Sequence, residues 1–313
     1  MSGELSPRLS VVVAIVSDTT DPRVDVSNLA GCLEAIARQT DPPSMEVIVS
    51  HLPDVEGLEV VKARYPSVKF LPVTDARGPR ETGGGREHHD VLRARAMSIS
   101  RGGLIALLED HARPDPHWCA NIVKAHEESY AGIGGAMDNL VERPLNWAVY
   151  FCDYGKYQNP LPEGEAHFAS DSNVSFKRTA LDKVRDSWAQ AFREIIVNGA
   201  LMALGEKIVL RRDIVVSQCR TGLRFWPAMR ERYVWGRSYA ATRNATLSLP
   251  MRLVLAMLSP VLPFLLTVRL ARTAFERRRY IGKFLMALPL TVVLLASWSI
   301  GEGLGYITGV RRA

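Results

Sequence analysis

Four short apolar runs rich in β-branched residues fall at positions 10–16, 46–49, 68–73 and 104–108, and helix-periodic stretches separate them. Runs that do not alternate with polar residues read as strands buried on both faces. Covering both faces takes helices, so this order predicts a parallel α/β sheet. Three helical faces fit between the strands: Leu29, Cys32, Leu33 and Ile36 behind the capping residues Asp25 and Ser27; Leu58, Val61 and Tyr65; and Val91, Ala94 and Ile99. Ligands of such sheets bind beyond the carboxyl ends of the strands, which directs attention to the segments after Val16, Val49 and Leu108.

Residues 82–86, with Gly83, Gly84 and Gly85 inside, read as a flexible loop; the lysine and hydroxyl of a P-loop do not follow them. Past about residue 140 the order changes. A Trp/Tyr-rich stretch at 147–157 precedes Pro160-Leu161-Pro162 and then Asn173-Val174-Ser175-Phe176-Lys177-Arg178. Helical periodicity returns over 188–204, stopped by Gly205, and 207–210 reads as a closing strand. Such a chain joins a nucleotide-side half to an acceptor-side half.

Charge is divided unevenly. The chain carries 39 basic and 33 acidic residues, yet about 17 basic against about 4 acidic residues stand from Arg211 onward. The same segment holds two apolar stretches, 253–268, broken by Pro260 and Pro263, and 284–300; both fall short of the ~20 residues of a full span. The partner of the positive charge is therefore expected to be an anionic membrane surface and not a nucleic acid. Arg269, Arg272, Arg277, Arg278, Arg279 and Lys283 face a single Glu276 between the stretches, so this turn should stay cytoplasmic. The first stretch is then expected to be interfacial or re-entrant, and the second to span, ending near Glu302. Two buried helices of a soluble subdomain would give the same pattern. Cys32, Cys119, Cys152 and Cys219 are widely separated, which suits a reducing compartment, and residues 10–16 are too short for a signal peptide.

The stretch richest in chemistry runs from 107 to 118, where an apolar strand ends in Glu109, Asp110 and His111 before Pro114, Pro116 and Trp118. Oxygen and nitrogen ligands at a strand end suit a divalent cation that bridges two phosphates and neutralises a departing diphosphate. Acids at that position also suit the positive end of the following helix, and the residues alone leave both readings open.

With these pieces in order, the chain resembles the family 2 glycosyltransferases of GT-A fold over most of residues 10–243. Glu109-Asp110-His111 with Pro114, Pro116 and Trp118 stands where that family has its Asp-x-Asp motif. Leu33 with Gln39-Thr40, Ala94-Arg95, Gly134-Gly135 and Asn173 to Arg178 are further matching pieces. The resemblance implies a Rossmann-like, mostly parallel α/β sheet with flanking helices, plus C-terminal membrane-associated helices. It divides the chain into a GT-A domain, 1–245, and a membrane-associated helical region, 246–313. Within the domain, 1–140 would bind the nucleotide-sugar, 141–220 the acceptor, and 221–245 would be a basic interfacial segment. Glu109 and His111 would hold a divalent metal, Mn or Mg, and Asp54, Arg95 and Asp110 would contact the donor. Glu194 would be the catalytic base, with Asp171 in reserve. Arg232, Trp235 and Arg237 would meet the donor diphosphate or a lipid phosphate, as guanidinium forks suit phosphate.

Departures are equally visible. Ser50-His51 stands where the family has an Asp at the end of the second strand, and Ala96 where it has an Asn. Histidine remains a competent ligand for manganese. His88-His89-Asp90 makes no second metal site, because adjacent helical residues face different ways. The expected activity is inverting transfer of a sugar from a nucleotide-sugar to a lipid-linked or glycan acceptor at the membrane, in polysaccharide or glycolipid synthesis. The catalytic domain would face the cytoplasm. A polyprenyl-phosphate sugar synthase and a catalytically silent membrane assembly partner are the alternatives.

Overall fold

The computed structural model describes residues 6–16, 26–78, 87–244 and 247–309. Asp25, the glycine-rich loop at 82–86 and the domain boundary expected at 245/246 lie outside the described residues.

The first half builds as its periodicity predicts: β1 (Leu9–Ala14), α1 (Val26–Ala37), β2 (Met45–His51), α2 (Leu58–Arg64), β3 (Lys69–Pro72), α3 (Glu87–Ile99) and β4 (Leu104–Glu109). β1 pairs in parallel with β2 on one side and β4 on the other, and β2 pairs in parallel with β3. Every residue of β1 and β4 is buried, which explains their unbroken apolar composition. α1 buries Leu29, Cys32, Leu33 and Ile36 as expected. α3 turns a different face inward: Leu92, Arg93, Ala94, Ala96 and Met97 are buried, whereas Val91 and Ile99 are half-buried. The chain around residues 189–192 covers its outer side, since Arg95 donates to the Ala189 carbonyl and the Phe192 amide to that of Asp90.

The second half adds β5 (Ala112–Pro114), α4 (Trp118–Ala125), β6 (Gly132–Asn139), α5 (Pro144–Tyr154), β7 (Gly164–Glu165), β8 (Val174–Lys177), α6 (Arg178–Lys183), α7 (Glu194–Ala203) and β9 (Ile208–Gln218). The nine strands run in the order β3-β2-β1-β4-β8-β6-β9-β5, with β7 beside β9. β8 is antiparallel to both β4 and β6, but the long ladders are parallel, including β6 with β9. The α/β class with a mostly parallel sheet and flanking helices is the observed one. The aromatic stretch at 147–157 is largely helix α5, and Trp147, Tyr150 and Phe151 belong to the core. Trp188 is likewise buried, its indole N–H donating to the Leu181 carbonyl at 3.0 Å.

Four helices close the chain: α8 (Phe225–Arg243), α9 (Leu249–Leu258), α10 (Leu262–Arg277) and α11 (Ile281–Thr308). α9 and α10 make one rod joined through a 3-10 turn at Ser259–Val261, and this rod and α11 are each long and apolar enough to cross a membrane. α11 runs past Glu302 to Thr308 and lies on α5 and α8. The Ser297 hydroxyl donates to the Met229 carbonyl at 2.7 Å, and Phe284 meets Phe151 edge-on at 5.1 Å. Gly236 and Gly301 permit this approach, because a Cβ at either would collide with the carbonyl oxygen of Trp298 or Tyr233. The basic turn docks on the sheet domain: Arg279 reaches Asp138 at 2.6 Å, Lys283 pairs with Glu142, and Arg277 donates to the Pro160 carbonyl at 2.6 Å.

Candidate active site

β1 has β2 on one side and β4 on the other, so the crevice beyond the ends of β1 and β4 is the topological switch point of the sheet. Asp110 ties the chain after β4 to the end of β1 at that crevice. Its carboxylate accepts from the Val16 amide at 3.0 Å and its own amide donates to the Ala14 carbonyl at 3.1 Å. Glu109 and His111 stand on either side of it.

Glu109 is the hub of a buried polar cluster. One oxygen meets the Arg93 guanidinium at 3.0 Å; the other accepts from the Tyr154 hydroxyl at 3.1 Å and lies 3.3 Å from His111 Nε2. Arg93, fully buried on α3, also reaches Asp171 at 3.0 Å and so ties the end of β4 to the chain just before β8. A guanidinium shared by two carboxylates satisfies charges that would be costly to bury singly. Burial and then the neighbouring Glu109 and Asp153 carboxylates push the Tyr154 phenol well above its ordinary pKa, so it stays a donor. Burial alone would lower the pKa of His111, but hydrogen bonding to Asp110 and Glu109 outweighs it and raises the value above that of free imidazole.

Among the described residues no three His, Cys, Asp or Glu side chains converge as a complete metal cage. A donor-site magnesium or manganese does not need one, since such ions use one or two protein ligands and take their remaining oxygens from substrate phosphates and water. His111 Nε2 is buried and lies 3.3 Å from a Glu109 carboxylate oxygen, close enough for both atoms to meet one ion. These two residues therefore fit a two-ligand cation seat that a diphosphate would complete.

A cleft of about 580 Å³ runs from this seat to the C-terminal helices. Val16, Glu109, His111, Tyr154, Asp171, Glu194 and Trp235 line it together with Leu266 and Trp298 of the C-terminal helices. Glu194 occupies the first turn of α7. That turn is anchored to α3 by the Phe192 amide, which donates to the Asp90 carbonyl at 2.9 Å, and by Arg193, 3.4 Å from the Asp90 carboxylate.

The cleft brings together Glu109, His111, Glu194, Arg232 and Trp235. Asp54 is instead exposed beyond β2, and Arg95 is held by Asp75 at 2.6 Å, outside the cleft. Arg232 is buried and grips Asp153 with both guanidinium nitrogens, while its carbon lies 5.1 Å from the Trp235 ring centre. Arg237 donates to Thr308 at 3.2 Å and so fastens the end of α11. Sequence reasoning missed Arg93, Tyr154, Asp153 and Lys156. For Arg93 a signal existed: His89, Arg93 and Met97 recur every four residues and share the inward face of α3, and a charge on such a face needs a partner.

No family model and no curated protein matches the chain. Among solved structures, the mannosyltransferase PcManGT from Pyrobaculum calidifontis, in complex with GDP-Man and Mn2+, is similar at 15% identity and a TM-score of 0.46; the match covers 97% of this chain and 86% of that one.

Proposed function

We propose that the protein is an inverting glycosyltransferase that moves a sugar from a nucleotide-sugar to a lipid-linked or membrane-proximal acceptor. The observation that carries this reading is the single cleft, which starts at acids and an imidazole on the sheet's switch point, passes Glu194 and ends among apolar helices. In this reading Glu109 and His111 hold Mg or Mn against the donor diphosphate, and Asp110 fixes the crevice in which the donor lies. The metal supplies Lewis-acid stabilisation of the departing diphosphate. Glu194 removes the proton from the acceptor hydroxyl as that oxygen attacks the anomeric carbon, and one displacement inverts the configuration. Arg232 and Trp235 form the diphosphate side of the cleft. Asp54, Arg95 and Arg237 are assigned donor contacts by the resemblance alone.

The attachment to the membrane is read from α8 and α11. α8 carries Arg230, Arg232, Arg237 and Arg243, a set too costly for the bilayer centre, and the last turns of α11 are packed along it. α11 then lies on the domain, and the exposed rod of α9 and α10 dips into the cytoplasmic leaflet, with the basic turn on the domain's side. Polysaccharide or glycolipid assembly is the setting this implies.

The test is calorimetric titration with UDP and GDP, with and without manganese. Wild-type protein is expected to bind one of them in a metal-dependent way, and Glu109→Ala with His111→Ala to abolish that dependence. Glu194→Gln should leave nucleotide binding intact and lower transfer by about 10²–10⁴-fold. Folded wild-type protein that binds neither nucleotide would sink the reading.

A further inference from the structure

Glu109 belongs to a closed ring of side chains whose other members have no part in the proposed transfer. One of its oxygens is taken by Arg93 at 3.0 Å, and Arg93 reaches on to Asp171 at 3.0 Å. The other oxygen accepts from the Tyr154 hydroxyl at 3.1 Å, and that hydroxyl lies 3.4 Å from Ser172 Oγ. Asp171 and Ser172 are consecutive residues, so the path closes on itself. Its members come from four separate stretches of chain: the end of β4, α3, the segment before β8 and the last residue of α5. Arg93, Glu109, Asp171 and Ser172 are all buried.

A carboxylate gripped at one oxygen still turns about its last torsion, which is soft; gripped at both oxygens, it is fixed. Arg93 supplies the first grip from the half of the chain before β5, and Tyr154 the second from the half after it. The oxygen that Tyr154 holds is the one 3.3 Å from His111 Nε2, the pair of atoms read above as a two-ligand seat. Tyr154 itself has little freedom. The preceding turn of α5 is sunk in the core at Tyr150 and Phe151, and the Tyr150 hydroxyl donates to the Met137 carbonyl at 2.9 Å. Asp153, one residue earlier, is gripped by Arg232 of α8. Neighbouring helical residues point about 100° apart, so one helix end reaches α8 with one side chain and Glu109 with the next.

We infer that Tyr154 is a positioning residue for the cation seat: its hydroxyl holds Glu109 Oε2 toward His111, while Asp171 and Ser172 steady the two donors that grip Glu109. The inference rests on the proposed reading of Glu109 and His111 as ligands of a divalent ion and adds how their geometry is kept. Supporting hydrogen bonds of this kind orient the ligands before the ion arrives, and losing one typically costs about 10–100-fold in metal affinity. The ring also separates the work of two acids in the cleft. Asp171 pairs with Arg93 inside the ring and frames Glu109, which leaves removal of the acceptor proton to Glu194.

The probe is manganese, added to full-length protein with saturating GDP or UDP in turn, and bound ion is read from loss of the free-ion paramagnetic resonance signal. Tyr154→Phe keeps the aromatic ring and its packing and removes only the hydroxyl. It should weaken manganese binding by about 10–100-fold. Raising the manganese concentration should then restore nucleotide affinity, because both ligands remain. Ser172→Ala, one link further from Glu109, should act in the same direction and by less. Asp171→Asn should regain transfer when manganese is raised; a rate that stays low at saturating manganese would assign Asp171 to the chemical step and overturn its framing role. Manganese affinity unchanged in both Tyr154→Phe and Ser172→Ala, or a deficit in Tyr154→Phe that no manganese concentration restores, would overturn the inference alone. Wild-type protein that takes up no manganese with either nucleotide would overturn the seat, and the inference with it.

Discussion

The 18-residue apolar windows of the rod of α9 and α10 and of the helix α11 have nearly equal mean hydropathy, 2.0 and 1.9, yet only 6% of the first window is buried against 44% of the second. Composition does not separate them; spacing does. Gly301 and Gly305 recur every four residues along the face of α11 that meets α8, and small residues let two helix backbones come together. The rod instead shows Leu253, Met257, Leu258, Phe264, Leu265 and Val268 to its surroundings, and approaches α11 at Ala256 and Ser259, opposite Gly303. Two equally apolar segments are thus used differently, one packed as a brace of the sheet domain and one left largely exposed.

The sharpest way to break this contrast is on α11 itself. Gly301→Leu forces a side chain into the Tyr233 carbonyl, and repacking cannot relieve a clash with backbone, so a loss of about 3 kcal/mol or more is expected. Gly282→Leu, on the same helix but with open space at its Cβ, should change stability by less than about 0.5 kcal/mol. Thermal unfolding of the two variants checks the pair, and equal effects would show that α11 is not a packed brace. Next in size is the ionic seam on α8. Arg232→Met strands the Asp153 carboxylate in the domain and should cost about 3 kcal/mol, with much of the loss recovered by adding Asp153→Leu. A double variant no better than the single one would mean that the seam contributes by packing and not by charge.

How much of this was legible in the sequence follows from the range of each force. β1, β2 and β4 and the inward face of α1 were readable because local periodicity reports burial directly, and the place of Glu109 at a strand end was readable because it closes the apolar run of β4. The contacts of Arg93 with Glu109 and Asp171 were not, since they join residues that are brought together only by α3 crossing behind the sheet. The inward face of α3 was read only in part: Ala94 is buried as expected, but residues 189–192 return beside Arg95 and Asp90, and nothing in 87–99 announces them. The course of α11 past Glu302 was hidden because that glutamate looked like the end of a span. Its charge is accommodated within the packed seam, accepting from Trp298 at 2.9 Å and Tyr306 at 3.0 Å. A hydropathy window counts such a residue as a stop, whereas hydrogen-bond partners make it tolerable inside.

The smallest expected effect on stability is the most informative about the rod. Met257→Asp and Phe264→Asp place charge on side chains that are 72% and 69% exposed, so neither removes core contacts and unfolding should shift by less than about 0.5 kcal/mol. Binding to anionic vesicles should nevertheless fall, because each change removes apolar area from the lipid face and adds a charge that the leaflet repels. Vesicle sedimentation at fixed lipid concentration, read beside thermal unfolding, separates the two quantities. Substitutions that destabilise the protein in solution but leave vesicle binding unchanged would reverse the assignment, making the rod a face for another protein surface and leaving the basic turn as the sole attraction to lipid.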